Sequence, residues 1–196
     1  QSKDPGTYKA RVEYLMGLSE EEMLELVPTQ AGLYFVGCPH CTGGRQEHQL
    51  AWDVKKPREV KCRYCGHVYP SEKYPMEKVQ RVTTPAGNVV ECPYWENEEG
   101  YRYYFESCMN YYARDYMSGA AERMAVAYYL SGDKEYARRC ALILNRFAEV
   151  YGDYAYHFDF PFRQKEWYEG EVPPKKFRGG FRTARWHWWA YMDIPI

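Results

Sequence analysis

Four cysteines form two short motifs of the kind that bind a metal ion. Two residues separate Cys38 from Cys41, two separate Cys62 from Cys65, and residues 42–61, twenty in number, lie between the pairs. Zn²⁺ takes four such thiolates tetrahedrally, at about 2.3 Å from each sulfur. The spacing between the pairs also falls within that of zinc ribbons. The sequence therefore predicts a zinc site whose ligands are Cys38, Cys41, Cys62 and Cys65.

The residues around these motifs favour a zinc ribbon. Glycine, which lets the backbone turn tightly past a metal, follows the first motif at 43 and 44 and the second at Gly66. Apolar residues alternate with polar ones over 50–54, and Val60 follows Pro57, which predicts two short strands. Two disulfides in an oxidising compartment are the alternative, but paired C-x2-C motifs match a disulfide framework poorly.

A shell of four thiolates leaves no coordination position for water, so such a zinc does no Lewis-acid chemistry. We expect the metal to be structural and any catalytic chemistry to lie elsewhere. His40, His48 and His67 lie near the motifs. Because four thiolates complete the shell, we expect these histidines to be solvated loop residues.

The composition narrows the possible partners. With 196 residues the chain suits one domain, or one domain with a small appendage. Its 26 basic and 27 acidic residues give no overall field to attract nucleic acid or an anionic membrane. No run of 18 apolar residues predicts a membrane-spanning helix. The chain begins at Gln1 without Met, which we interpret as a processed or excised product.

Three further cysteines and an excess of tyrosine need an explanation. Cys108 and Cys140 fall within helical patterns and are expected to be small buried hydrophobes, whereas Cys92 lies in a different context, at the end of a predicted hairpin strand. The 21 tyrosines suit either a groove that grips hydroxylated ligands or a tyrosine-rich helical core.

The order of predicted elements runs from helices to strands and back to helices. Residues 7–27 indicate two helical pieces, with Ser19 and Glu22 forming a capping box. An apolar strand is predicted at 31–37, the ribbon at 36–70, and a hairpin with strands at 79–84 and 88–92. Helices are then predicted at 101–117, 120–130, 134–150 (capped by Asp133) and 183–192, with a long loop at 151–182.

Two segments carry a resemblance to a known family. Ala120–Tyr154, with its alanine-rich helix, its Tyr-Leu-Ser-Gly-Asp turn and its amphipathic helix, resembles a helical hairpin of the heparinase II/III-like and alginate-lyase-like polysaccharide lyases. Cys38–Pro70, including Cys-Gly-x-x-Tyr-Pro at 65–70, resembles a cysteine-rich insertion in some of these enzymes. Such hairpins also occur in glycoside hydrolases with (α/α) barrels.

The resemblance implies a mainly α fold, in which the first helices of a partial (α/α) toroid follow a small zinc-ribbon β element. The expected organisation is an N-terminal helical segment at 1–30, a ribbon-like β region with a hairpin at 31–95, and the start of the toroid at 96–196. The family's catalytic motifs are not found here, so the chain is expected to be the N-terminal part of a longer enzyme.

The implied reaction is β-elimination in a uronate-containing polysaccharide, with an acidic polysaccharide as partner and a secreted or periplasmic location, although free thiolates also suit a reducing cytosol. Arginine can clamp a carboxylate and indole can stack on a sugar. The candidate substrate-binding residues are Arg182, Arg185, His187, Trp188 and Tyr191, together with Trp186. Alternatively, Trp186, Trp188 and Trp189 pack the core of the toroid.

Other functions stay open at this point. The window 38–81 holds nine Lys and Arg against five Asp and Glu, a modest excess for a ribbon that binds nucleic acid. A glycoside hydrolase needs two paired carboxylates, for which Glu166, Glu169 and Glu171 are available. His157 and Asp159 form a weak catalytic pair. A helical scaffold stabilised by zinc, with no ligand, is the last alternative.

Overall fold

The computed structural model describes residues 5–30, 32, 36–41, 49–84, 86–98 and 102–154. About half of this part of the chain is helical, and two small antiparallel sheets lie between the first and last helices in sequence. The helices are α1 (Pro5–Met16), α2 (Glu20–Glu25), α3 (Phe105–Ser131) and α4 (Lys134–Val150).

The start of α2 confirms the predicted capping box. The Ser19 hydroxyl accepts the backbone N–H of Glu22 at 3.2 Å, and the Glu22 carboxylate accepts the backbone N–H of Ser19 at 2.8 Å. Two backbone donors that a helix start leaves without partners are thereby satisfied.

The connection between α3 and α4 is the predicted tight turn. Gly132 ends α3 in the left-handed region, at φ +70°, and its N–H donates to the carbonyl of Tyr128. The Asp133 carboxylate then accepts the N–H of Glu135 at 3.0 Å and caps α4. The prediction of α4 over residues 134–150 is therefore confirmed.

The two predicted helices at 101–117 and 120–130 are wrong, because α3 is continuous from Phe105 to Ser131. Gly119 in the interior of a helix costs about 0.5–1 kcal/mol relative to alanine. Met117, Ala120 and Ala121 are buried on both sides of it, and this packing outweighs the local preference. The start is also later than predicted, because residues 102–103 form a strand.

Each of the two sheets has three antiparallel strands, arranged in sequence order. The first sheet confirms the two predicted ribbon strands and adds a third that was not predicted. Its strands are β1 (Leu50–Trp52), β2 (Val60–Cys62) and β3 (Val68–Tyr69). The strands of the second sheet are β4 (Lys78–Thr83), β5 (Val89–Glu96) and β6 (Arg102–Tyr103).

The β4–β5 hairpin was predicted, but β5 is longer than expected and runs through Pro93. Pro93 lies opposite Val79 on β4, whereas β6 pairs only with Trp95 and Glu96. A proline has no backbone N–H to donate to a second neighbouring strand. Because β6 does not pair with β5 at Pro93, no such donor is needed there.

The turn of this hairpin is bound to the end of α4. Asp153 accepts a hydrogen bond from the Thr84 hydroxyl at 2.9 Å and another from the Asn88 amide at 2.8 Å. Nearby, the Tyr154 hydroxyl donates to the carbonyl of Pro28 at 3.0 Å. The end of the helical hairpin is therefore fastened both to the second sheet and to the segment after α2.

Buried side chains form two cores. We call the first the ribbon core: it is rich in aromatic rings and cysteines from both sheets and the first turns of α3, among them Cys38, Leu50, Cys62, Tyr69, Tyr103, Phe105 and Cys108. The second, the helical core, joins α1, α2, α4 and the later part of α3, with Val12, Leu15, Met23, Met117, Met124, Ile143 and Phe147 among its members. Only α3, among the described helices, supplies buried residues to both.

Several predictions concern parts of the chain that lie outside the described residues, or are not tested by them. The strand at 31–37 and the helix at 183–192 fall mostly or wholly outside the description. The toroid and the three domain boundaries stay predictions. Cys108 and Cys140 are buried as predicted, and so is Cys92. None of the described helices is long and apolar enough to cross a membrane.

Candidate metal centre

The four predicted ligands come together in one cluster. Their sulfur atoms all lie within 4.8 Å of one another. Across the two motifs, Cys38 and Cys65 are 3.7 Å apart and Cys41 and Cys62 are 3.8 Å apart. All four are free thiols, so the alternative of two disulfides is wrong.

The two cross-motif separations match those of a tetrahedral metal site. Sulfurs placed about 2.3 Å from a central ion at the corners of a tetrahedron are about 3.8 Å from each other. A disulfide would need about 2.05 Å. The two measured cross-motif distances lie within 0.1 Å of the tetrahedral edge. The four cysteines can therefore hold one metal ion.

The second motif is a turn that follows β2. The Cys62 N–H donates to the carbonyl of His67 at 2.8 Å, and Gly66, at φ +75°, donates its N–H to the carbonyl of Cys62 at 3.0 Å. Burial raises the pKa of Cys62, but backbone N–H groups of Cys65 and Tyr64, together with the neighbouring thiols, outweigh it and lower the pKa to about 7. The turn thus favours the thiolate, the form that binds metal, at Cys62, whereas burial and the neighbouring thiols raise the pKa of Cys41 to about 12.

Gln49 joins the two motifs and is fully buried. Its side-chain oxygen accepts the backbone N–H of Cys38 at 3.0 Å, and its amide nitrogen lies 3.9 Å from the sulfur of Cys41. The backbone carbonyl of Gln49 accepts the backbone N–H of Arg63 at 2.8 Å. One residue therefore fixes the position of the first motif relative to the second.

Tyr69 on β3 contacts the first cysteine motif through its hydroxyl. Its hydroxyl lies 2.9 Å from the sulfur of Cys38 and accepts the backbone N–H of His40 at 3.3 Å. Burial, followed by the hydrogen bond with Cys38, raises the pKa of Tyr69 far above its ordinary value. The phenol therefore keeps its proton, and its O–H can donate a hydrogen bond to the sulfur of Cys38. Such outer contacts orient ligands and adjust metal affinity.

Four rings continue from the cluster to α3, and we call them the ring stack. The ring centroids of His40 and His67 are 4.7 Å apart, those of His67 and Tyr69 4.8 Å, and those of Tyr69 and Phe105 4.4 Å. Phe105 is the first residue of α3. The ring stack therefore joins the metal cluster to the start of the longest helix.

The histidines differ from the prediction. His40 is exposed, as expected of a loop residue, but it stacks on His67, which is only partly exposed. Burial, then the neighbouring His40 and Lys73, lowers the pKa of His67, which favours its neutral form. Neither histidine belongs to the four-sulfur cluster, and His48 lies outside the described residues.

The predicted substrate-binding residues are not among those that the structure describes. Arg182, Arg185, His187, Trp188 and Tyr191 all lie outside the described residues, as do Trp186, Trp189, His157, Asp159 and the three loop glutamates. The metal ligands are therefore the predicted site residues that the structure brings together.

Sequence reasoning missed the supporting residues Gln49 and Tyr69. Gln49 has no spacing signal, because its contacts depend on how the two motifs fold against each other. Tyr69 belongs to the Cys-Gly-x-x-Tyr-Pro pattern at 65–70, which is a signal that the position matters but not that the hydroxyl reaches Cys38.

No family model matches this chain, and no curated protein or solved structure matches it either. The likeness to polysaccharide lyases therefore rests on the sequence patterns alone. The geometry of the four cysteines stands independently of it.

Proposed function

We propose that Cys38, Cys41, Cys62 and Cys65 bind one structural Zn²⁺. The observation that carries this proposal is the sulfur spacing, which matches the edge of a tetrahedron of thiolates around zinc. Four sulfurs suit zinc or iron among the common metals. The ribbon arrangement, with each pair of ligands on a tight turn, favours zinc.

Metal analysis of reduced, freshly purified protein tests this proposal. We expect one zinc per chain, lost in Cys62→Ser and kept in the control Cys140→Ser, because Cys140 lies in α4 and outside the cluster. Iron with a visible thiolate-to-iron absorption band would contradict the choice of zinc. A chain that holds less than half an equivalent of any metal would contradict the site itself.

We propose further that the chain is the N-terminal part of a polysaccharide lyase that acts on a uronate-containing polymer. The support is the resemblance of two separate segments, Cys38–Pro70 and Ala120–Tyr154. In keeping with it, the second segment includes an antiparallel helical hairpin, the unit from which an (α/α) toroid is built. The ribbon packs against the start of α3, where the Tyr112 hydroxyl donates to the carbonyl of Leu50 at 2.8 Å.

In the proposed reaction a base removes the C5 proton of a uronate unit, the bond from C4 to the glycosidic oxygen breaks, and a C4–C5 double bond forms while an acid protonates the departing oxygen. We assign neither the base nor the acid to this chain. Its proposed part is to bind the acidic polymer, with Arg182, Arg185, His187, Trp188 and Tyr191 as candidate contacts, in a secreted or periplasmic enzyme.

Affinity electrophoresis through gels that contain alginate, heparin, dextran or no polymer tests this second proposal. We expect retardation by an acidic polysaccharide but not by dextran, reduced in the double variant Arg182→Gln/Arg185→Gln and unchanged in Arg81→Gln, an exposed arginine on β4. Equal migration in all gels would contradict polysaccharide binding. In a further gel that contains DNA, retardation there without retardation by an acidic polysaccharide would favour the nucleic-acid alternative instead.

A further inference from the structure

A cavity of about 410 Å³ lies where the α1–α2 segment, the loop between β1 and β2, and α3 meet. Its apolar lining includes Leu18, Leu26, Val54 and Met109, and the ring of Tyr14 lies at its wall. Volumes of about 300–1,000 Å³ and a mostly apolar wall with a few polar groups are typical of small-molecule sites. The cavity is separate from the metal cluster, since no cysteine lines it.

Polar groups from three elements line this cavity and make no hydrogen bond or ion pair within the part of the chain that the structure describes. They are Arg58 on the β1–β2 loop, Glu25 at the end of α2, and Asn110 on α3. Glu22 also lines the cavity, but it is engaged with Ser19 in the capping box. Arg58 and Glu25 are exposed and Asn110 is half-buried, so all three side chains are accessible to a ligand in the cavity.

The charged groups of the cavity come from two elements. The β1–β2 loop carries the cations: Arg58 lines the cavity, and the Lys55 ammonium lies 5.8 Å from the centre of the Tyr14 ring. The helix α2 carries the carboxylates of Glu22 and Glu25. An anionic group would therefore bind at the loop, and donors such as hydroxyls would face α2. A second anionic group of the same unit, placed beside α2, would be repelled by the two glutamates.

The wall adds a third requirement. Tyr14 contributes an aromatic ring and Met109 a polarisable apolar surface, which suit the C–H groups of a ring rather than a fully solvated ion. Arginine binds a carboxylate through two parallel hydrogen bonds. The ligand that satisfies all three requirements is a ring with one carboxylate, several hydroxyls and an apolar face, which describes a sugar acid.

We propose that this cavity binds one uronate unit, with its carboxylate on Arg58 and its hydroxyls on Glu25 and Asn110. This proposal rests on the proposed lyase function, because it names a place where the acidic polymer is held. It adds a subsite formed by the ribbon and the first helices, away from the candidate contacts near the C-terminus.

Isothermal titration of the wild-type chain with an alginate tetrasaccharide, and with the same tetrasaccharide after reduction of its carboxyls, tests the subsite. We expect saturable binding of the acidic form only. Loss of a charged hydrogen bond should raise the Kd of Arg58→Gln by about tenfold or more. Asn110→Ala should raise the Kd by a smaller factor, and Arg81→Gln should leave it within about twofold of wild type. Zinc content and far-UV circular dichroism verify that each variant is folded.

The outcomes separate the two proposals. If alginate gels retard the chain but Arg58→Gln binds the tetrasaccharide as wild type does, the subsite is wrong and the polymer-binding function stands. The same conclusion follows if the reduced tetrasaccharide binds equally well, or if the tetrasaccharide does not bind at all. If neither polymer nor tetrasaccharide binds, both proposals fail.

Discussion

The ribbon core and the helical core of this protein are held together in different ways. The strands of the first sheet are only two or three residues long, and a sheet of this size has little stability of its own. The ribbon core is organised around four sulfurs and the ring stack. The helical core has helices of 12, 17 and 27 residues whose apolar faces pack together.

This difference teaches where the stability of each region comes from. Short strands bury too little surface to offset the loss of chain entropy, so the metal ion that we propose would supply the remainder. Long amphipathic helices bury enough apolar surface for tertiary packing to stabilise them. The ribbon core should therefore depend on metal, and the helical core should not.

Removal of the metal is expected to have the largest effect. Metal binding contributes about 10–16 kcal/mol to small zinc domains, so chelation or Cys62→Ser should disorder the ribbon. In amide hydrogen exchange, the Cys62 and Arg63 amides, which now donate to His67 and Gln49, should lose protection, while the amides of α4 keep theirs. Cys140→Ser is the matched control. Equal loss of protection in α4 would contradict the different metal dependence of the two cores, because the two cores would then unfold together.

Truncation of a buried side chain in the helical core, which would leave an empty space, should have the next largest effect. Phe147 on α4 is 1% exposed, so Phe147→Ala should lower the free energy of unfolding by about 3–5 kcal/mol. Urea unfolding measures this loss, and the milder Phe147→Leu should cost about 1 kcal/mol if the alanine variant does not fold. Zinc content per folded chain should not change. A variant that folds but has lost its zinc would show that the ribbon depends on the helical core.

Removal of the Tyr69 hydroxyl should weaken metal binding and leave the ring in place. Tyr69→Phe keeps the ring stacked on Phe105 but loses the hydroxyl contact with Cys38. Loss of a residue's contact with a metal ligand lowers metal affinity by about 10–100-fold. Competition with a chromogenic chelator measures the affinity. Tyr74→Phe is the control, because that hydroxyl contacts His40 and no sulfur. If both variants bind zinc equally, the Tyr69 hydroxyl has no role in positioning the ligand.

Low pH should destabilise the helical core by protonating Glu135, and this should be the smallest of the four effects. Hydrogen bonds from Arg138, then Arg139, lower the pKa of Glu135 from 4.5 to about 2. The stability that this carboxylate contributes is therefore present above pH 4.5 and is lost as the pH falls toward 2. The difference in melting temperature between wild type and Glu135→Gln should shrink over that range. The exposed control Glu21→Gln should show no such trend, and a difference that stays constant down to pH 2 would contradict the assignment.

Local signals in the sequence predicted much of this structure. The capping box at Ser19 and Glu22, the turn at Gly132 and Asp133, and the spacing of the four cysteines each depend on residues close together in the chain. Side-chain chemistry and backbone geometry over a few residues determine such features. They could therefore be predicted before any contact between distant elements was known.

Features that depend on distant contacts were not predicted. The continuity of α3 through Gly119 results from the packing of buried residues before and after this glycine, which local propensity does not contain. The same holds for the ring stack, since His40 and Phe105 are 65 positions apart, and for the buried Gln49 between the two cysteine motifs. The cavity beside Arg58 was also missed, because three elements far apart in the sequence form it.

The unbroken helix α3 sets the rotation of one core relative to the other. Its buried residues in the ribbon core (Phe105, Cys108 and Met109) and in the helical core (Met117, Ala120, Ala121 and Met124) lie on sides of the helix about a third of a turn apart, at about 100° per residue. One residue inserted at Gly119 would turn one side by about 100° and move it by about 1.5 Å along the axis. Chain length between these two sets of residues is thus as constrained as the residues themselves, even though Gly119 lies in neither core.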